Sequence, residues 1–402
     1  MRRRLRAAAR HLGRPAAGGS DRGIRVIPFF PELTGRGAAP AVIDGWWLEV
    51  FAAGDALRQI QAEFFGRLGL APRECRYRVL ASGPHWRLRA YAPDASGPSL
   101  LIVSAPIKKP YIWDISRAAS VIRYCLDRGL TPYLIEWVVP PTDTDMPGLD
   151  RYIQAVHEAV ACIAREHAAP PLLMGHSLGG TLAAVAAALE PDGLRGLVLL
   201  GSPLCFRAGT SRFGDALAAL LPSALADERV MVPGSLISQL SVWASPETFV
   251  WSRLADAALS ASDPEAAALH ARVERWTLDE APISGRLVGE IARWLYREDR
   301  FCREALVVQG RTIGPSRLRV PTLAVVNTSD AIVTPDSMLH FLRAAPAGYV
   351  QSMAYAGEIG VGFQHVALLI GRKARAKIWP AILSWAASAG TGGARKVGRT
   401  AD

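Results

Sequence analysis

One serine is set among glycines in Gly175-His176-Ser177-Leu178-Gly179-Gly180, and that spacing suits nucleophilic chemistry. An apolar run, Leu172-Leu173-Met174, leads into it, and an Ala-rich stretch leads out. A strand must therefore turn sharply into a helix at Ser177, the context that a G-x-S-x-G motif needs. Gly175 and Gly179 remove side chains that would collide in such a turn. The hydroxyl then stands at a helix N-terminus, where developing negative charge is stabilised. The bland alternative is a glycine-rich helix entry with a capping serine.

A serine hydroxyl is a weak nucleophile near neutral pH and needs a base. The chain order that accompanies this motif is serine, acid, histidine. Of the eight histidines, only His365 follows the last expected strand at a suitable distance, in Gly360-Val-Gly-Phe-Gln-His365. His176 adjoins the nucleophile but should point elsewhere and line a pocket. The acid should lie at or after the strand Thr322–Val326, where Asp330 and Asp336 are both available. Asp330 comes directly off the strand and is preferred, whereas Asp336 follows Pro335 and reads as a helix N-terminal acid. Its role would be to orient the imidazole and stabilise the imidazolium.

An oxyanion needs backbone donors: the N–H of Leu178 and one from the loop after Leu100–Ser104. Pro106 has no N–H, so Ala105 or Ile107 must supply the second. Lys108 and Lys109 in that loop could meet an anionic substrate group or simply be solvated.

The elements that must position these groups alternate along the chain. Strands are expected at 76–80, 86–91, 100–104, 131–138, 172–175, 193–200, 322–326 and 349–355. The first two form a hairpin turning at Ser82-Gly83-Pro84. Helices are expected over 115–128, over 178–189, and where Ile153, Val156, Val160 and Ile163 mark one face. This alternation indicates an α/β fold, a mostly parallel sheet with helices on both faces. Residues 60–204 and 319–388 would form that core. Residues 205–318 show helical patterns without a central strand and read as a helical lid, with Trp243, Trp251, Trp276 and Trp294 more suited to lid packing than to an acyl tunnel.

The formal charge of +10 belongs mainly to the ends. Residues 1–25 hold eight Arg against one Asp, and residues 389–402 hold three basic residues against one Asp. The core is thus nearly neutral and implies no nucleic-acid groove. Both ends read as disordered, with weak contact to a membrane or granule surface as the alternative to solvated tails. No apolar run approaches the roughly 18 residues that a bilayer span requires. The five cysteines are scattered, without C-x-x-C spacing, which fits a reducing cytoplasm and argues against a zinc framework.

Longer stretches carry a family resemblance. Lys109-Pro-Tyr-Ile-Trp-Asp114, Arg128-Gly-Leu-Thr-Pro-Tyr-Leu-Ile-Glu-Trp137 and Gly148-Leu-Asp-Arg-Tyr-Ile153 resemble the polyhydroxyalkanoate synthases, especially their shorter two-subunit types. Glu274-Arg-Trp-Thr-Leu-Asp-Glu-Ala-Pro282, Pro321-Thr-Leu-Ala-Val and Trp379-Pro-Ala-Ile extend the likeness over roughly residues 60–388. The resemblance implies an α/β-hydrolase fold, with Asp330 as acid, His365 as base and Ile107 as second oxyanion donor. It departs at the nucleophile, since those synthases carry cysteine where this chain has Ser177.

Cysteine would hold an acyl group as an activated thioester, whereas serine holds it as an ordinary ester. The expected activity is therefore a serine acyl hydrolase, an esterase, thioesterase or polyester depolymerase on a synthase-like scaffold. A 3-hydroxyacyl-CoA acyltransferase is the alternative, and an inactive granule-associated scaffold is third. The substrate would be a small ester, acyl thioester or hydroxyacid polyester, with a homodimer or second subunit left open. Triad chemistry calls for no metal or cofactor.

Overall fold

The computed structural model describes residues 46–92, 97–141, 145–207, 209–220 and 230–389. The basic tail 1–25 and all but the first residue of 389–402 lie outside the described residues.

A mixed sheet of eight strands carries the fold, in the order β1-β2-β4-β3-β5-β6-β11-β12. In sequence these are β1 (Arg78–Gly83), β2 (Trp86–Ala90), β3 (Ser99–Val103), β4 (Thr131–Trp137), β5 (Leu172–His176), β6 (Gly196–Leu200), β11 (Thr322–Asn327) and β12 (Val350–Tyr355). The first two form an antiparallel hairpin, and β2 pairs antiparallel with β4. From β4 to β12 all neighbours are parallel. The central strands β3, β5 and β6 are buried at every residue, as strands covered on both faces must be.

Helices cover both faces. On one lie α3 (Leu149–Glu166) and α4 (Leu178–Leu189), with α10 (Pro335–Ala344) farther along. On the other are α2 (Val121–Leu126), α11 (Ala367–Ile370) and α12 (Trp379–Ser388). Ile153, Val156 and Ile163 of α3 are buried as their spacing predicts, whereas Val160 is half-buried.

Several expectations need correction. The helix expected over 115–128 is only α2: Ser120 accepts a hydrogen bond from the Arg123 amide at 2.8 Å and caps it there. The preceding residues bend instead, and Asp114 bridges to Ser120. The first hairpin runs through Gly83 as strand and turns at Pro84-His85.

Residues 205–318 run between β6 and β11. They carry α5 (Arg212–Leu220), α6 (Gly234–Ala244), α7 (Ser252–Ser260), α8 (Pro264–Leu278) and α9 (Gly285–Glu290). Two short strand pairs also lie there, β7 (Met231–Val232) with β8 (Ile283–Ser284), and β9 (Leu306–Val308) with β10 (Arg311–Ile313). Neither pair joins the main sheet. We call the helical part of this insertion the cap.

A helix that the sequence pattern does not predict, α1 (Trp46–Phe65), joins the cap. Its buried Asp55 accepts from the amides of Gly234 and Ser235 at 3.0 and 2.7 Å, closing the N-terminus of α6. Arg58 donates to the Thr277 carbonyl at 2.8 Å. No described helix is long and apolar enough to cross a membrane.

The cysteines also depart from expectation. Cys205 and Cys302 form a disulfide with a Cα–Cα distance of 5.1 Å. Their separation of 97 residues left no spacing signal to find. Cys125 and Cys162 are free and buried, and Cys75 is free and half-buried. The one metal-competent cluster among the described residues is Cys205, Cys302 and His340, and two of its members are that disulfide.

Candidate active site

The parallel register brings the carboxyl ends of β5, β11 and β12 to one edge, where ligands of open α/β sheets bind. His176 at the end of β5 pairs with Leu200, Leu200 pairs with Val325, and Asn327 pairs with Tyr355. Ser177 follows β5 directly, Asp330 lies three residues beyond β11, and His365 ten beyond β12.

Ser177 has φ 55° and ψ −136°, a conformation that a residue with a side chain rarely adopts. Its amide donates to the carbonyls of Leu200 and Gly201, both at 3.2 Å, and its carbonyl accepts from Gly180 at 2.9 Å. These bonds hold the strained turn in place. The strain also depends on close packing. A Cβ on Gly175 would fall 2.5 Å from the Gly180 Cα, and one on Gly179 would fall 2.3 Å from the Val103 carbonyl oxygen. Gly179 thereby lets the start of α4 press against the end of β3. That contact sets Leu178 beside the loop bearing Ala105 and Ile107.

The three polar side chains come together as a relay. His365 Nε2 lies 2.8 Å from Ser177 Oγ, and its Nδ1 lies 2.6 Å from Asp330 Oδ2. The other carboxylate oxygen of Asp330 accepts from the amides of Ile332 and Val333 at 2.9 and 3.2 Å. The carboxylate is thus oriented before it meets the imidazole. Asp336 stands in the first turn of α10, exposed and apart from the relay.

His176 is buried and does not reach Ser177 as a base. Its Nε2 donates to the His365 carbonyl at 2.7 Å, so it holds the backbone of His365. Burial and the neighbouring His365 push its pKa down to about 3, which keeps it neutral. Asn327 adds a second hold, donating from Nδ2 to the Gln364 carbonyl at 2.8 Å.

A cavity of about 830 Å³ opens over Ser177 and His365. Leu178, Ala105 and Ile107 all line it, so both residues expected to offer a second backbone donor lie beside Ser177. Trp137 Nε1 donates to the Ser104 carbonyl at 2.7 Å, and Ser104 Oγ to the Ile135 carbonyl at 2.6 Å. Those bonds fix the start of the loop after β3. From the cap, Phe213 and Phe249 line the cavity, and the Phe249 ring packs tilted against Phe363, with centroids 5.3 Å apart, two residues before His365. Of the four lid tryptophans only Trp276 lines it, while Trp243 and Trp251 are exposed.

Lys108 lines the cavity but is tied to the cap rather than left in solvent. It forms an ion pair with buried Glu280 and donates to the Thr277 carbonyl at 2.8 Å and to Ser238 Oγ at 3.1 Å. Burial lowers its pKa to about 8 against the opposing pull of Glu280. Val50, Phe51, Gly54 and Arg58 of α1 also face the cavity. The sequence offered no signal for them, because a helix's apolar face does not say what it will cover.

A family model described as the alpha/beta hydrolase fold matches residues 133–360, more than half of the chain. The poly(3-hydroxyalkanoate) polymerase subunit PhaC of Haloferax mediterranei is 28% identical over 295 residues, covering 71% of this chain and 58% of that relative. The subunit of the same name from Allochromatium vinosum is 25% identical over 296 residues, covering 73% of this chain and 82% of its own. A putative lipase from Acinetobacter baumannii, known as a crystal structure, is 14% identical with a TM-score of 0.49, covering 84% of this chain and 97% of its own.

Proposed function

The chain belongs to the α/β-hydrolase fold family and is an enzyme of the hydrolase or acyltransferase type; on that premise we propose that it transfers hydroxyacyl groups through an ester on Ser177. The observation that carries the chemistry is the unbroken Ser177–His365–Asp330 relay at the floor of a capped cavity. The likeness to polymerase subunits along 71–73% of the chain favours a 3-hydroxyacyl thioester as donor and a hydroxyl as acceptor. This places transfer ahead of the hydrolysis expected from the serine alone.

The geometry supports the following steps. His365 Nε2 takes the Ser177 proton as Oγ attacks the thioester carbonyl, and the backbone N–H of Leu178, with that of Ile107 as the family resemblance implies or of Ala105, receives the oxyanion. The C–S bond breaks, and the thiol leaves with the proton from the imidazolium, which Asp330 stabilises. An acceptor hydroxyl then gives its proton to His365 and attacks the Ser177 ester. A new ester forms, and the proton returns to Oγ. The first step runs downhill from thioester to ester, and the second exchanges one ester for another. Transfer therefore depends on keeping water away from the second step, which a cavity walled by Ile107, Phe213, Phe249 and Phe363 favours.

Hydrolysis is the second reading, and the identity of Ser177 favours it. An ordinary ester is a sluggish donor to a hydroxyl, and water is the abundant acceptor. Purified protein with a chain-length series of 3-hydroxyacyl-CoA substrates separates the two. Free thiol with oligomeric ester is the expected outcome. Free thiol matched by free hydroxyacid would replace transfer by hydrolysis. Ser177→Ala should abolish both, and thiol release that survives it would remove Ser177 from the mechanism.

A further inference from the structure

The loop carrying His365 is held from two sides. The core holds its carbonyls, through His176 to His365 and Asn327 to Gln364. The cap holds its amides, and a single side chain does so. Asp256, buried on α7, accepts from the Gly360 amide through Oδ1 at 2.8 Å and from the Gly362 amide through Oδ2 at 2.6 Å. His270 on α8 approaches Oδ2 with Nδ1 at 3.1 Å and steadies the carboxylate.

The glycines allow this approach. Gly360 and Gly362 have φ of 85° and 70°, and a Cβ on Gly362 would lie 3.3 Å from His270 Nδ1. The loop thus lies directly against α8, three residues before the base. Burial raises the Asp256 pKa, but the bonds from His270, Gly360 and Gly362 outweigh it and leave the group below its ordinary value. An ionised carboxylate presents acceptors at both oxygens, which two converging amides require.

We propose that Asp256 is a positioning residue for His365, a cap carboxylate that sets the base loop so that the relay is complete only with the cap seated on the core. The proposal rests on the reading of Ser177 and His365 as nucleophile and base. It makes the cap part of the catalytic apparatus as well as a wall of the pocket. Asp256 touches no reacting atom and acts only through the backbone of Gly360 and Gly362.

The test is the labelling of Ser177 by a fluorophosphonate, in which the Oγ–P bond forms, fluoride leaves and His365 takes the serine proton. Asp256→Asn keeps the shape but turns an amide N–H towards one of the glycine amides. Its maximal labelling rate should fall about tenfold to a hundredfold with the half-saturating probe concentration unchanged, because a shift of about 1 Å can cost that much. A folded Asp256→Asn protein that labels at the wild-type rate overturns the proposal. Should that variant not fold, His270→Ala leaves Asp256 its two amides, and a fewfold loss is expected. An unchanged rate there overturns it equally. The downfield proton resonance of His365 Nδ1–H shared with Asp330 reports the relay without any reaction. If wild-type Ser177 does not label, the nucleophile reading fails. The clamp is then judged by whether this resonance moves in Asp256→Asn; an unmoved resonance overturns it.

Discussion

The sheet edge that presents the relay and the cap that roofs it are held in different ways. At the edge, backbone ladders do the positioning: β5 lies between β3 and β6, and Ser177 hangs from the carbonyls of Leu200 and Gly201. In the cap, side chains do it. Lys108 and Arg58 reach buried Glu280, Arg253 pairs with Glu274, and Trp276 Nε1 donates to the Lys109 carbonyl at 2.9 Å. A ladder shares its load over many bonds, so the edge tolerates the loss of a single bond, though not a side chain at Gly175 or Gly179. A set of side-chain ties concentrates load, so one cap residue can shift a whole loop.

The largest expected effect tests the edge. Asp330→Asn keeps the shape of the acid but offers an N–H to His365 and favours the wrong tautomer. Turnover should fall about 10⁴-fold, by analogy with the same change in serine-protease triads, while thermal unfolding moves little. Asp336→Asn removes only a helix N-terminal charge, worth about 1 kcal/mol or less, and should leave turnover near wild type. The reverse pattern in steady-state rates would move the acid from Asp330 to Asp336.

The same contrast explains what could be read in advance. The approach to Ser177 was legible almost to the residue, because Gly175, Gly179 and an apolar run are local signals and the strand-turn-helix is local structure. Asp330 was legible as a preference, since leaving a strand end is also local, but only the fold turned its carboxylate to His365. The pattern overextends the helix over 115–128 because Ile115 and Ala119 are apolar and buried without being helical. Ser120, the residue that caps it, lies inside the span that the apolar pattern suggests. In the cap the decisive ties join distant residues: Arg58 with Glu280, Asp256 with Gly362, Cys205 with Cys302. No spacing rule connects such pairs, and neither the wall formed by α1 nor the burial of Lys108 could be foreseen.

A smaller effect is expected where the cap meets the substrate. Phe213, Phe249 and Phe363 form a ladder, with centroids 5.5 and 5.3 Å apart, that ends beside His365. Phe249→Ala should open the cavity towards longer acyl chains. The ratio of kcat/KM for long over short 3-hydroxyacyl donors should rise about tenfold, the worth of a methylene or two in an apolar pocket. An unaltered ratio would mean that the acyl chain runs elsewhere, and that the cap's aromatic ladder serves packing alone.

The smallest effect on turnover is expected at the seam between the two regions. Cys205 follows β6, and its amide is bonded to the Ser337 carbonyl of the core at 2.8 Å, while Cys302 closes the helical part of the insertion. The disulfide therefore ties the two ends of the cap to each other at its neck. Closing a loop of that length can contribute up to about 5 kcal/mol by restricting the unfolded chain. Cys302→Ser should lower the unfolding midpoint in denaturant accordingly. The seated cap has its own ties through Asp256, Glu280 and Trp276, so Ser177 labelling in the folded protein should stay within about twofold of wild type. A labelling rate that falls together with stability would mean that the neck also helps to seat the cap on the base loop. The division between a ladder-held edge and a side-chain-held cap would then have to include the disulfide on the catalytic side.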